Sequence, residues 1–133
     1  MEIAEGVIEE MLEQSLSAHP LECCGILLGH GERIAAILPA RNVHPTPQTH
    51  FEIDPQALVD AHRAARDGGP QVLGYYHSHP AGPPEPSATD RACAARDSRV
   101  WAIAGRRGEE WDVRFWRDGQ HGFAPLSPHV VAR

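Results

Sequence analysis

The chain has 133 residues, 41% of them hydrophobic and 23% charged, with a formal net charge of -6. That length suits one domain, residues 1–133, with enough apolar content for a packed core. The acidic balance argues against a nucleic-acid-binding surface, which is normally basic, and no run of about 18 apolar residues is present to cross a membrane.

Glu2, Glu5, Glu9, Glu10 and Glu13 break the charged-then-apolar pattern of a secretory leader, so a cytoplasmic setting is expected. Ala4, Val7, Ile8, Met11, Leu12 and Leu16 form a stripe at helical spacing, predicting a helix over residues 4–17 that ends at His19-Pro20. Residues 22–29 read as a buried strand, turned by Gly29-His30-Gly31 into a partner strand from Arg33 to Leu38. Residues 39–48 hold three prolines and read as a loop, and Phe51 to Ile53 as a short strand. Asp54 followed by Pro55 is an N-cap with proline in the first helical position. That helix should stop near Asp67-Gly68-Gly69-Pro70.

Gln71 to His79 is rich in apolar residues and glycine, as a central strand would be. A helix is expected from Ser87 to Asp97. Strands are expected from Val100 to Ala104, Glu110 to Trp116 and Gly122 to Leu126. Helices and strands mixed in this order imply an α/β sandwich of two or three layers around a mixed sheet.

The chemistry concentrates in His77-Ser78-His79-Pro80, with Ser87 and Asp90 downstream. Histidines two residues apart on a strand face the same side. They can therefore offer two imidazoles to one metal ion, and Asp90 offers a carboxylate oxygen. Two His and one carboxylate, with a fourth position open, is a catalytic zinc set. The bland reading is that nine histidines make chance pairs common, and that Ser87-Ala88-Thr89-Asp90 is only a helix capping box. The setting favours the metal: an apolar strand ends at the histidines, a Pro/Gly-rich loop follows, and a helix start carries Asp90.

The same residues resemble a known family. His77-Ser78-His79-Pro80 through Ser87 to Asp90 fits H-x-H-P-x6-S-x2-D, the signature of the JAMM (MPN+) metalloproteases. Pro20 to Gly29 resembles the family's P-x-E-x-C-G-x-L-x-G segment. Asn42 and Phe51-Glu52-Ile53-Asp54-Pro55 resemble its Asn and its F-x-I-D-P turn. The resemblance implies an MPN/JAMM (cytidine-deaminase-like) fold, a mixed β-sheet sandwiched by helices. It implies Zn²⁺ held by His77, His79 and Asp90, with Glu22 as general acid/base. It also implies a substrate that is a ubiquitin-like modifier or sulfur-carrier protein with a Gly-Gly tail. The chain is short and lacks the two insertions with which ubiquitin-chain-specific members grip substrate, which suggests a compact prokaryotic type.

Ser87 is a candidate oxyanion donor beside its capping role, since a hydroxyl both donates and accepts. Ser78 should face away and support the sheet. Trp101, Trp111 and Trp116 read as packing residues, His50 as a surface residue near the site, and the loop from Gly82 to Pro86 as a stiff flank. Three cysteines do not suggest a disulfide framework, and Cys24 should pack rather than ligate. The competing functional class is a non-catalytic MPN-type interaction module. The full set Glu22, His77, His79, Ser87 and Asp90 speaks against it.

Overall fold

The computed structural model describes residues 1–133. The elements in chain order are β1 (Glu2–Ala4), α1 (Val7–Ala18), β2 (Cys24–His30), β3 (Arg33–Ala40), α2 (Pro55–Arg66), β4 (Gln71–Ser78), α3 (Ala88–Cys93), β5 (Val100–Arg107), β6 (Glu110–Gly119), β7 (Gly122–Leu126) and β8 (His129–Val131). One eight-stranded sheet runs β7-β6-β5-β4-β2-β3-β1-β8. It is mixed: β4 and β5 are parallel, as are β1 with β3 and β1 with β8, while the remaining pairs are antiparallel.

The helices cover both faces. Val7 and Met11 of α1 enter a thirteen-residue core with Ile3, Leu27, Tyr76, Val100 and Phe115. Full burial of one such side chain contributes roughly 1.5–3 kcal/mol. Ala61 of α2 closes a smaller core with Ile26 and Val72 on the opposite face. The expected sandwich of helices around a mixed sheet is therefore the fold. β4 is central, as its composition predicts. Gly74 lets β5 approach: a Cβ there would stand on the Val100 carbonyl.

Asp54 accepts Gln56 N–H at 3.1 Å and Pro55 opens α2, as the sequence indicates. Other boundaries shift. α1 begins at Val7, not residue 4, because Glu2–Ala4 is used as a strand between β3 and β8 and Gly6 (φ 88°) turns the chain. β8 has only three residues, too few to show a pattern in sequence. α3 stops at Cys93 instead of reaching Asp97. The buried Asp118 carboxylate captures Arg96 N–H at 3.0 Å, and Arg96 and Ser98 take left-handed conformations. The hairpin turn sits at Gly31-Glu32, and Gly29 lies at a register shift within β2.

Candidate active site

Strand pairing builds the site. Cys24 of β2 stands opposite His77 of β4, so Glu22, just before β2, arrives beside the end of β4. Cys23 and Ser78 fasten this junction: Cys23 N–H donates to Ser78 Oγ at 2.9 Å, and Ser78 N–H donates to Cys23 O at 3.1 Å. Ser78 is fully buried and supports the sheet as expected. Asn42 steadies Glu22 from the other side. Its Nδ2 donates to Glu22 O and to His50 O, both at 3.0 Å, while its Oδ1 accepts from His44 N–H and Glu52 N–H. One amide thus ties the loop after β3 to the segment carrying Glu22.

His77, His79 and Asp90 converge. The two Nε2 atoms are 3.1 Å apart, and each lies 3.1 Å from an Asp90 carboxylate oxygen. A tetrahedron of zinc ligands at roughly 2.0–2.1 Å has edges of about 3.3 Å. The donor set and its spacing therefore fit zinc. His77 and Asp90 are nearly inaccessible, at 1% and 4% exposure. The Phe51 ring stacks on the His77 imidazole (centroids 4.1 Å apart, planes within 17°), and Trp101 meets it edge-on at 5.6 Å. His79 Nδ1 donates to Pro83 O at 2.8 Å. The Gly82–Pro86 loop is thus a prop for the site as well as its flank.

Electrostatics suit a cation. Burial pushes the Asp90 carboxyl up, but hydrogen bonds from His77 and His79 outweigh it and hold the group well below the usual carboxylate range. Burial also pushes His77 down, toward the neutral imidazole that a metal requires. For His79 burial acts the same way, but Asp90 and the Pro83 carbonyl prevail and raise it. Glu22 is 7% exposed, and its carboxyl is pushed up to about 7. Burial is the main cause; His79 opposes it and Asp90 adds to it.

Ser87 takes the capping role that the sequence indicates. Its Oγ accepts Asp90 N–H at 3.0 Å, and Asp90 Oδ2 accepts Ser87 N–H at 3.0 Å, a closed capping box. The hydroxyl hydrogen remains available to donate. Glu22 and Asp90 line one cavity of about 530 Å³ with Phe51, Ile53, Leu58 and Trp101. Its charged lining residues are all acidic: Glu22, Glu52, Asp90 and Asp97. His50 also lines it and stacks on His44 at 4.7 Å. Cys24 is not a donor to the site. It packs with Sγ near the Ala40 and Arg41 carbonyls, its thiol pushed up to about 12, chiefly by burial. The parts that the sequence leaves unassigned are the Phe51 stack, the Asn42 brace and the Pro83 carbonyl. The F-x-I-D-P run marks the position of Phe51 but not its task.

A buried two-histidine, one-carboxylate centre beside a carboxyl titrating near neutrality, on a mixed sheet between helices, defines a metal-dependent hydrolase. The model of the prokaryotic homologs of the JAB domain (Prok-JAB) matches residues 4–119, and the chain belongs to that compact prokaryotic branch of the JAMM/MPN family, the zinc metallopeptidases. It is 33% identical over 113 residues to a desampylase of Haloferax volcanii, covering 80% of this chain and 81% of that one. It is 39% identical over 88 residues to a Thermus thermophilus protein named "Probable TtuB-protein conjugate cleaving protease", covering 66% of this chain and 59% of the other. Among solved structures, protein DSY2949 from Desulfitobacterium hafniense superposes with a TM-score of 0.84 at 28% identity, covering all of this chain and 94% of that one.

Proposed function

We propose that this chain hydrolyses an amide bond at the C-terminal Gly-Gly tail of a ubiquitin-like modifier or sulfur-carrier protein. In this reading residues 1–133 act as one domain, in the cytoplasm. Zn²⁺ is held by His77, His79 and Asp90, and Glu22 and Ser87 do the proton and oxyanion work. The observation that carries the proposal is the placement of Glu22, a buried carboxyl titrating at about 7, on the cavity wall shared with Asp90. The relatives' names, a desampylase and a conjugate-cleaving protease, support this substrate class. Three free thiols support a reducing compartment.

A zinc ion bound by these three residues supplies Lewis acidity, polarising the scissile carbonyl and making water acidic enough to attack near neutral pH. The Glu22 carboxylate accepts the proton of the attacking water and then delivers it to the leaving amine nitrogen. Its raised pKa suits both transfers. Ser87 Oγ–H donates to the developing oxyanion while its lone pairs hold the cap. The cavity's apolar wall, Ile53, Leu58 and Trp101, takes the extended tail before the scissile bond. The acidic lining and the absence of Lys or Arg disfavour a carboxylate-rich tail.

The test is incubation of zinc-loaded protein with Gly-Gly-tailed conjugates, with mass spectrometry of the products. Release of the modifier ending in Gly-Gly by the wild type, and not by Glu22→Gln, supports the assignment. An intact conjugate with fully zinc-loaded wild type would overturn it.

A further inference from the structure

His79 sits just beyond β4, outside the regular ladder, so its orientation is set by what it touches. Its backbone N–H donates to Ala104 O at 2.7 Å, and its Nδ1 faces Pro83 O at 2.8 Å. A carbonyl only accepts, so this contact favours the proton on Nδ1, the tautomer whose Nε2 lone pair is free for a metal; in the zinc-free protein the Asp90 carboxylate, 3.1 Å from Nε2, competes for the same proton. The position of one loop carbonyl therefore favours the tautomer that can ligate a metal through Nε2, against the pull of Asp90 on the other nitrogen.

That carbonyl is held from β5 and β6. The 82–84 backbone lies flat against Gly105: a Cβ there would stand 2.5 Å from Pro84 N, 2.6 Å from Pro83 C and 2.7 Å from Gly82 O. These are backbone atoms and cannot swing aside as a side-chain tip would. Arg106 N–H donates to Gly82 O at 2.7 Å, and Trp116 Nε1–H donates to Pro84 O at 3.2 Å. The loop is thus pinned on both sides of Pro83, and Pro84 is buried beneath it. The prolines limit the loop's own freedom, so a displacement at Gly105 is carried to the Pro83 carbonyl.

We propose that Gly105 and Trp116 are positioning residues of the metal centre: by fixing the 82–84 loop they hold the Pro83 carbonyl that fixes the ring plane of His79 and favours its ligating tautomer, and so tune zinc affinity. This rests on His79 being a zinc ligand. Neither residue touches the reacting atoms. Loss of a ligand's outer partner lowers metal affinity by about 10–100-fold. Gly105→Ala should fall in that range, because it displaces the carbonyl itself. Trp116→Phe removes one hydrogen bond and keeps the ring, and should lower affinity by up to about fivefold, the factor one net hydrogen bond is worth.

The experiment is zinc titration against a competing chelator for wild type, Gly105→Ala, Trp116→Phe, Trp111→Phe and His79→Ala. It is paired with ¹⁵N spectra of the histidine rings in zinc-free protein at about pH 9, above the histidine range. Trp111 lies on the same strand and packs on His19 and Arg106 without donating to the loop, so Trp111→Phe reports general destabilisation. The expected result is weaker zinc binding by Gly105→Ala and Trp116→Phe but not by Trp111→Phe. The fraction of neutral His79 protonated on Nδ1 should be lower in Gly105→Ala than in wild type. Zinc affinity of folded Gly105→Ala equal to wild type, with an unchanged Nδ1-protonated fraction of His79, would overturn the proposal. If Gly105→Ala does not fold, Trp116→Phe decides: affinity equal to that of Trp111→Phe overturns the proposal, and a selective loss sustains it. Should His79→Ala retain wild-type affinity, the ligand assignment itself fails. Loss in His79→Ala without loss in Gly105→Ala and Trp116→Phe refutes this inference alone.

Discussion

Ser87 and Asp90 cap each other, with both reciprocal hydrogen bonds at 3.0 Å, and the same Asp90 Oδ2 lies within 3.2 Å of both His77 and His79 Nε2. The helix cap and the metal centre share one carboxylate. Forming the first turn of α3 therefore orients the oxygen that the centre needs. A six-residue helix has little intrinsic stability, so the cap and the centre support each other.

This coupling frames the test of Ser87. Ser87→Ala removes the acceptor for Asp90 N–H but leaves the Asp90 to Ser87 N–H bond intact. The cap loss should cost about 1 kcal/mol of stability. Loss of an oxyanion donor should lower kcat by about a hundredfold or more, with KM little changed. Zinc content, Tm and steady-state kinetics are to be measured on the same preparation. Full zinc, lowered Tm and unchanged kcat would confine Ser87 to the cap.

Zinc binding should be close to one ion per chain and should fail when either His77 or His79 becomes Ala. A ligand that binds only the folded state adds stability by mass action, about 2.7 kcal/mol at a hundred times Kd. A chelator should therefore lower Tm in wild type and leave Tm of the two variants unmoved. Equal zinc by elemental analysis in all three proteins would remove His77 and His79 from the centre.

Much of this centre is legible in the sequence because its donors lie in one short stretch. His77, His79 and Asp90 fall within fourteen residues, and the i, i+2 spacing at the end of an apolar strand marks the two imidazoles as partners, although His79 itself lies just past β4. Glu22 is legible only through the family pattern, since its approach depends on β2 pairing with β4 across about fifty residues. The brace from Asn42, the Phe51 stack and the Pro83 carbonyl leave no periodic trace; each is a single long-range contact. The same holds for the fold. The central strand and the capped α2 follow from local chemistry. β1 and β8 instead form because the sheet edge recruits short segments, and α3 ends early because Asp118 takes the Arg96 N–H.

Phe51 gives a second, independent handle on the centre. Its ring lies 4.1 Å from the His77 imidazole and fixes the plane of a side chain that is 1% exposed. Phe51→Leu keeps apolar bulk but loses the flat face. It should weaken zinc binding by about tenfold, the lower end for outer partners of a ligand, whereas Phe51→Tyr should retain wild-type affinity. Chelator competition reads this directly. Equal affinities for Leu and Tyr would show that the stack is packing alone.

Glu22 makes the sharpest pH prediction. In zinc-free protein its folded pKa of about 7 lies above the ordinary 4.5, chiefly through burial. The folded state therefore binds the proton more tightly than the unfolded state does. The resulting stability is fully present below about pH 4.5 and is lost as pH rises through 7. Glu22→Gln removes this dependence, so with chelator present the Tm of Gln minus that of wild type should grow from pH 4.5 to 8. With zinc loaded, the nearby dication favours the carboxylate and lowers its pKa. The acid limb of kcat/KM should then lie at or below pH 7, with activity rising as Glu22 deprotonates. Glu22→Gln should bind zinc as wild type does and lose most turnover, since an amide cannot accept the proton of water. If Glu22→Gln keeps near-wild-type turnover, Glu22 is not the base that the site requires; a Tm difference flat across this range shows instead that burial does not raise its pKa.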